Sequence, residues 1–244
     1  MPTADGIIAR EVMNAPKFPD NAAATPPRFW SRREVAVMPV MPDFKVSADE
    51  GSYFTGTNAT FGTGVVGPSA AAFAATSAIL GLLNKSGIGG PRSFIDYIRL
   101  ILTAAPTSGT RFDLAVTLDT IARQSAGTPI SAVDVNTDAS EIAPNTQVIY
   151  APTVAAAGPN VRQSARAALK VAAPVVGDEY LLVFGSVEKS ASLIASATVA
   201  GRYVTPMPPL VLGGGGFQQA FIHLWSASST AAPSFEFEVG LIER

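Results

Sequence analysis

The stretch Arg111-Phe112-Asp113-Leu114-Ala115-Val116-Thr117-Leu118-Asp119 decides the fold reading. Phe112, Leu114, Val116 and Leu118 fall on one side of an extended chain, and Arg111, Asp113, Thr117 and Asp119 fall on the other. That period of two belongs to a strand with one buried face. The same alternation returns downstream. Val161, Ala165, Leu169 and Val171 stand against Arg162, Ser164, Arg166 and Lys170, and Phe235, Phe237, Val239 and Leu241 stand against Glu236 and Glu238. Tyr180 to Phe184 and Leu193 to Val204 are apolar runs that suit strands covered on both faces. Turn signals separate these segments: Gly127-Thr128-Pro129, Gly158-Pro159, Gly177-Asp178 and Gly213 to Gly216. Many short strands at such spacing predict an all-β sandwich or barrel.

Two segments read less simply. In Ser93 to Thr103 the polar Asp96, Arg99 and Thr103 recur at helical spacing and Ser93 stands where a helix cap would. Phe94, Ile95, Tyr97, Ile98 and Ile101 are β-formers, and the segment is expected to be a strand. Ala70 to Leu83 leaves helix and strand open. No residue between Glu50 and Lys85 is charged, but Gly67, Pro68, Ser69, Thr76, Ser77 and Gly81 interrupt the run. Its bulk is mostly alanine, so a membrane span is not expected.

Seven prolines, Pro2, Pro16, Pro19, Pro26, Pro27, Pro39 and Pro42, precede any sustained periodicity. Proline fixes φ and removes an amide donor, so ladders do not form there. Residues 1–48 therefore read as an extended arm and residues 49–244 as the β-domain. The arm carries Phe18, Phe29, Trp30, Val35, Val37, Met38, Val40 and Met41, more apolar surface than a free linker holds. It is expected to lie along its own domain or a neighbouring subunit, with Phe29, Trp30, Arg32 and Arg33 as partner-binding anchors, because aromatics and arginine dominate interface energetics.

Composition narrows the chemistry. There is no cysteine and a single histidine among 244 residues, which excludes disulfides, thiolate metal sites and multi-histidine sites. Lys and Arg number 17 against 19 Asp and Glu, so no net attraction to a polyanion is expected and nucleic acid is not the predicted partner. Only 15% of residues are charged, where roughly 25% is ordinary. No basic flank and apolar core open the chain, so no signal peptide is expected.

The individual motifs are incomplete. Gly62, Gly64 and Gly67 spell G-x-G-x-x-G, but no acidic residue follows at the dinucleotide-binding distance and strands do not alternate with helices. Asp134, Asn136 and Asp138 open like a calcium loop, yet Ala139 and Asn145 occupy the glycine and glutamate positions. An irregular calcium site at Asp134, Asp138 and Glu141 stays open. Ser186 and Lys189 make an S-x-x-K pair without its companion motifs. Asp113 and Asp119 lie on one strand face about 20 Å apart, too far for a catalytic pair. His223, between Phe221 and Trp225, is expected to pack rather than react. Gly213 to Gly216 lacks the Lys and Ser or Thr of a phosphate loop. No catalytic residue, cofactor or metal is therefore assigned, and an enzyme is not predicted.

Asp96-Tyr97-Ile98-Arg99-Leu100 with Ala104-Ala105, and the run from His223-Leu224-Trp225 to Phe235-Glu236-Phe237-Glu238-Val239-Gly240, resemble segments of tailed-bacteriophage virion proteins with a jelly-roll fold, of the capsid decoration or cement type. The resemblance covers residues 90 to 244 and rests on strand patterns. It implies a homotrimeric jelly roll on the capsid exterior. The expectation is thus a jelly-roll β-sandwich with an N-terminal arm, burying Phe112, Leu114, Val116, Leu118, Phe221, Trp225, Phe235 and Phe237 between its sheets. Its partners would be copies of itself and the major capsid protein. The alternative is a carbohydrate- or receptor-binding jelly roll, for which Tyr53, Tyr150 and Tyr203 are candidate platforms.

Overall fold

The computed structural model describes residues 48, 50–58, 60–106, 111–136, 143–156, 161–170, 172–185, 201–227 and 231–244. The expected anchors Phe29, Trp30, Arg32 and Arg33 lie outside these residues, as do Ser186, Lys189, Asp138 and Glu141.

Sixteen strands follow one another among the described residues: β1 (Tyr53–Thr57), β2 (Val65–Val66), β3 (Leu80–Asn84), β4 (Ser93–Ala104), β5 (Asp113–Asp119), β6 (Gln124–Ser125), β7 (Thr128–Ile130), β8 (Ala132–Asp134), β9 (Thr146–Tyr150), β10 (Thr153–Val154), β11 (Arg162–Ala168), β12 (Glu179–Phe184), β13 (Arg202–Met207), β14 (Leu210–Leu212), β15 (Gln219–Trp225) and β16 (Ser234–Glu243). They form an eight-stranded sheet ordered β13-β12-β4-β16-β1-β8, with β14 beside β4 and β2 beside β16, and a six-stranded sheet ordered β11-β5-β15-β3-β9-β7. A small ribbon, β6 with β10, completes them. Pairing is antiparallel except between β12 and β13. The eight strands at the centre run β1-β16-β4-β12 in one sheet and β3-β15-β5-β11 in the other. Following these along the chain, every step but β5 to β11 crosses between the sheets.

The sheets share one core, as an all-β sandwich requires. Leu114 and Val116 of β5, Leu80 and Leu82 of β3, and Ile222 and Leu224 of β15 meet Ile98 and Leu100 of β4, Leu182 of β12 and Phe237 and Val239 of β16. Phe112 packs edge-on against Tyr180 at 5.8 Å, and Tyr150 stacks on Phe237 at 4.7 Å. These contacts bridge the two sheets.

Ser93 to Ala104 is a strand, as its β-formers predicted, and its ladder explains the helical spacing. The register with β16 slips at Asp96 and again at Thr103. Each bulge puts two residues opposite one. Ile95, Ile98, Leu100 and Leu102 thereby stay inward while Asp96, Tyr97, Arg99 and Ile101 face out. Ala70 to Leu83 resolves into irregular chain followed by β3, and no helix of the described residues is long and apolar enough to cross a membrane.

Phe221 and Trp225 correct the expected core. Both are buried, but on the far side of β15, whose inward residues are Ala220, Ile222 and Leu224. All seven residues of β15 are buried, so alternation carries no sign of which side is the interior. The irregular segment before β3 covers the outer side. Phe73 lies edge-on to His223 and Trp225, the Ser226 amide donates to the Ala70 carbonyl, and Ala78 and Val154 pack on Phe221.

Buried polar groups tie the sandwich ends. The Glu243 carboxylate accepts from the Asn145 amide (2.9 Å), the Asn145 side-chain amide (3.2 Å), the Thr146 amide (2.7 Å) and the Thr146 hydroxyl (2.6 Å). This joins the last strand of one sheet to β9 of the other. Asp178 accepts from the Lys170 ammonium and the Val175 amide, both at 2.7 Å, and from the Tyr180 hydroxyl at 3.1 Å. Burial works to lower the Lys170 ammonium, but Asp178 and Tyr203 outweigh it and hold its pKa above the ordinary lysine value.

Candidate interaction face

An exposed sheet face is ordinarily polar. The outer face of the eight-stranded sheet is mixed, two of its rows mainly apolar and two carrying charge. Cross-strand register arranges it in rows. Tyr53, Ile242, Phe94 and Val211 form the first row. Val133, Thr55, Gly240, Tyr97, Val183 and Pro206 form the second. Thr57, Glu238, Arg99, Leu181 and Val204 make the third, and Glu236, Ile101, Glu179 and Arg202 the fourth. Val133 is 60% exposed, with Phe94, Val204 and Val211 near 37–38%. Ile101, Leu181, Val183 and Ile242 are half-buried.

The centre of the face is flattened by glycine. A Cβ on Gly240 would stand 2.3 Å from Tyr97 Cε1 and 2.7 Å from the Tyr53 hydroxyl, so both tyrosines lie across a position where another residue would project. The Tyr53 hydroxyl donates to Asp96 at 2.8 Å and the Tyr97 hydroxyl donates to Glu238. Burial, reinforced by these carboxylates, pushes both phenols well above the usual tyrosine range. They are fixed neutral donors.

A charged stripe runs through the third and fourth rows. Arg99 stands between Glu238 (3.5 Å) and Glu179 (3.6 Å), and Arg202 donates to Glu179 at 3.0 and 3.2 Å. The order across four strands is Glu238, Arg99, Glu179, Arg202, alternating in sign. Partly exposed pairs of this kind each contribute about 0–1 kcal/mol, so the fold does not depend on them. Two shallow cavities open on this side. One of about 190 Å³ lies among Phe94, Asp96, Pro209, Val211 and Ile242, and one of about 50 Å³ lies between Arg99 and Glu238, with the 80% exposed Phe61 in its lining.

The residues singled out from the sequence do not converge. Gly62, Gly64 and Gly67 lie in the connection from β1 through β2, and no helix follows them to receive a phosphate. Gly213, Gly214 and Gly215 all have positive φ and turn the chain from β14 into β15 against Asn84 and Arg92. Asp134 accepts from the Asn136 amide at 2.8 Å. Asp119 is fully buried against Arg123, far from solvent chemistry, and Asp113 pairs with Arg111 at 3.2 Å. His223 is packed as expected, its Nδ1 2.9 Å from the Ser77 carbonyl and its Nε2 2.9 Å from the Thr117 hydroxyl.

The sugar-platform expectation is corrected for Tyr150, which is fully buried and donates to the Val65 carbonyl at 2.9 Å. Tyr203 stacks on Tyr180 at 5.6 Å under the Lys170 ammonium. Of the three, only Tyr53 reaches the outer face. What the sequence reading missed is the stripe: Arg99, Glu179 and Arg202 come from strands far apart in the chain, and register alone brings them together. Comparison of the chain with protein-family models, with curated protein sequences and with solved structures found no match.

Proposed function

We propose that this chain is a structural subunit of a virion, a capsid decoration or cement protein that binds the outside of the major capsid shell as a homo-oligomer and stabilises it. The observation that carries the reading is the outer face of the eight-stranded sheet, with two rows of mainly apolar side chains, Phe94, Val133, Val204 and Val211 exposed, and neutral phenols at its centre. Large apolar patches on folded proteins mark contacts with other macromolecules. The strand orders β1-β16-β4-β12 and β3-β15-β5-β11 support the jelly-roll form of the sandwich, two Greek keys facing each other. The resemblance of residues 90 to 244 supplies the virion context, and the trimer it implies belongs to the same proposal. Binding only the assembled shell stabilises that state by mass action.

The test is co-sedimentation of the purified chain with phage shells that lack their decoration protein, followed by heating. Bound chain and a raised shell disruption temperature are expected. Full recovery in the supernatant overturns the reading. Removing residues 1–45, with Phe29, Trp30, Arg32 and Arg33, is expected to weaken shell binding.

A further inference from the structure

The outer face of the eight-stranded sheet is built to meet a second copy of itself, and we propose that it forms a two-fold, face-to-face contact between copies of this chain. This deepens the preceding section and rests on its reading of that face as a subunit contact. In a two-fold contact the same patch serves both partners, so it must be complementary to itself. The charged stripe satisfies that condition. Read forward it is Glu238, Arg99, Glu179, Arg202; read backward against itself it sets Glu238 opposite Arg202 and Arg99 opposite Glu179. Each acid of the stripe then faces a base across the contact and also has one beside it in its own sheet. A stripe of one sign, or one ordered acid-acid-base-base-acid-acid, would place like charges together.

Geometry agrees with the charge pattern. The step from Arg99 to Glu179 moves one row along the strands, so the stripe runs obliquely. An axis perpendicular to it makes facing strands cross at an angle, as twisted sheets do when packed face to face. Six strands at about 4.8 Å and four rows spanning about 25 Å give roughly 600–750 Å² per copy, hence about 1,200–1,500 Å² in a pair. That is the size of a specific interface. Leu181, Val183, Val204 and Ile101 surround the stripe and exclude water from it, the arrangement in which paired charges discriminate most between partners. Such pairs stand alone or link trimers into larger even-numbered assemblies.

Two reversed variants test this. Arg99→Glu sets an acid against Glu179 twice per pair, and Glu179→Arg sets a base against Arg99 twice. Each alone is expected to dissociate at concentrations at least tenfold above those at which the unaltered chain stays paired, measured by sedimentation velocity. Mixed in equal amounts, the two are complementary at every position and are expected to recover the paired mass. Circular dichroism of each variant reports whether it is folded.

The chain has no cysteine, which permits a second measurement on intact protein. Glu238→Cys and Arg202→Cys chains, mixed and oxidised, are expected to cross-link to each other far faster than either does to itself. An unaltered chain that is monomeric at high micromolar concentration overturns the pairing. So does a mixture of folded variants that stays dissociated, or cross-linking that is no faster between the two cysteine chains than within each. A monomer whose face variants still lose shell binding refutes the pairing and keeps the virion role. Pairing without any shell binding does the reverse.

Discussion

The one histidine gives the folded state a pH dependence that belongs to a single group. His223 is 1% exposed, flanked by the Phe73 ring at 5.1 Å and the Phe221 ring at 6.1 Å. Its Nδ1–H donates to the Ser77 carbonyl and its Nε2 accepts from the Thr117 hydroxyl, which fixes the neutral tautomer. Burial lowers its pKa below the ordinary 6.5, and the carbonyls of Ser77 and Ala74 only partly offset that. The unfolded chain therefore takes up a proton near pH 6.5 that the folded chain refuses until lower pH. In that window the unfolded state binds more protons, so stability is complete above about pH 7 and is lost as pH falls through 6.5 toward the folded pKa. One proton limits the slope to about 1.4 kcal/mol per pH unit. With a guanidinium m-value of about 5 kcal/mol/M for a domain this size, the unfolding midpoint moves by about 0.3 M per pH unit. His223→Asn keeps an amide donor for Ser77 and removes the titration. The difference between the two proteins, from guanidinium unfolding at pH 7.5, 6.5, 6.0 and 5.5, cancels the carboxylates common to both. The unaltered protein should lose ground steadily below pH 6.5 relative to the variant. A flat difference, or a native imidazole that titrates by NMR at or above 6.5, refutes the reasoning.

Two further substitutions probe the ends and the face of the sandwich. Glu243→Ala leaves the buried Thr146 amide and the more exposed Asn145 amide without their acceptor; at about 1–3 kcal/mol for an unmet buried donor and less for the exposed one, the loss is about 2–4 kcal/mol, and calorimetry should show a melting temperature lower by roughly 5–15 °C. A loss under 1 kcal/mol would mean the carboxylate is not a tie between the sheets. Gly240→Ala forces Tyr97 or Tyr53 from its place and costs about 1–3 kcal/mol in urea unfolding, and adding Tyr97→Ala should recover part of that cost; strict additivity of the two changes would show that the close approach is not what makes position 240 a glycine.

How much of this was legible in the sequence follows from where alternation survives. In Arg111 to Asp119 the strand and its inward residues Phe112, Leu114 and Val116 could be read, but the face expected to be wet is not: Ala115, Thr117 and Asp119 are buried too, and Leu118 is only partly so. In Ser93 to Ala104 two bulges, at Asp96 and Thr103, converted a period of two into a spacing that imitates a helix. β-propensity still identified the strand, but no propensity scale marks a bulge. In Gln219 to Trp225 both faces are covered, and the reading that put Phe221 and Trp225 in the main core had no contrast to work with. The charged stripe was beyond reach for another reason. Arg99, Glu179, Arg202 and Glu238 are neighbours only through the pairings of β16 with β4, β4 with β12 and β12 with β13, and local pattern contains no information about such register.

The scarcity of charge, 15% of residues, has a structural counterpart in the unequal treatment of the two sheets. Both carry apolar side chains on their outer faces. On the six-stranded sheet the chain supplies its own cover: Phe73, Ala78 and Val154 lie over Phe221, His223 and Trp225, anchored by the Ala70 and Ser77 carbonyls. The strand side chains of that sheet are covered from within the chain, with Phe73 itself 47% exposed. On the eight-stranded sheet Phe94, Val204, Val211 and Val133 stay 37–60% exposed around phenols and a self-complementary stripe. Leaving such side chains in water forgoes about 25 cal/mol for each Å² of apolar surface, and a few hundred Å² amounts to several kcal/mol. On the pairing proposed above, a contact with a second copy recovers this free energy and accounts for the difference between the two faces. If so, placing charge on the covered side, as in Phe73→Glu, should lower stability without changing subunit mass. Leu181→Lys on the open side should do the opposite, releasing subunits while the melting temperature of the dilute, dissociated chain stays within about 2 °C. Equal effects of both substitutions on both measurements would show that the two faces do the same thing.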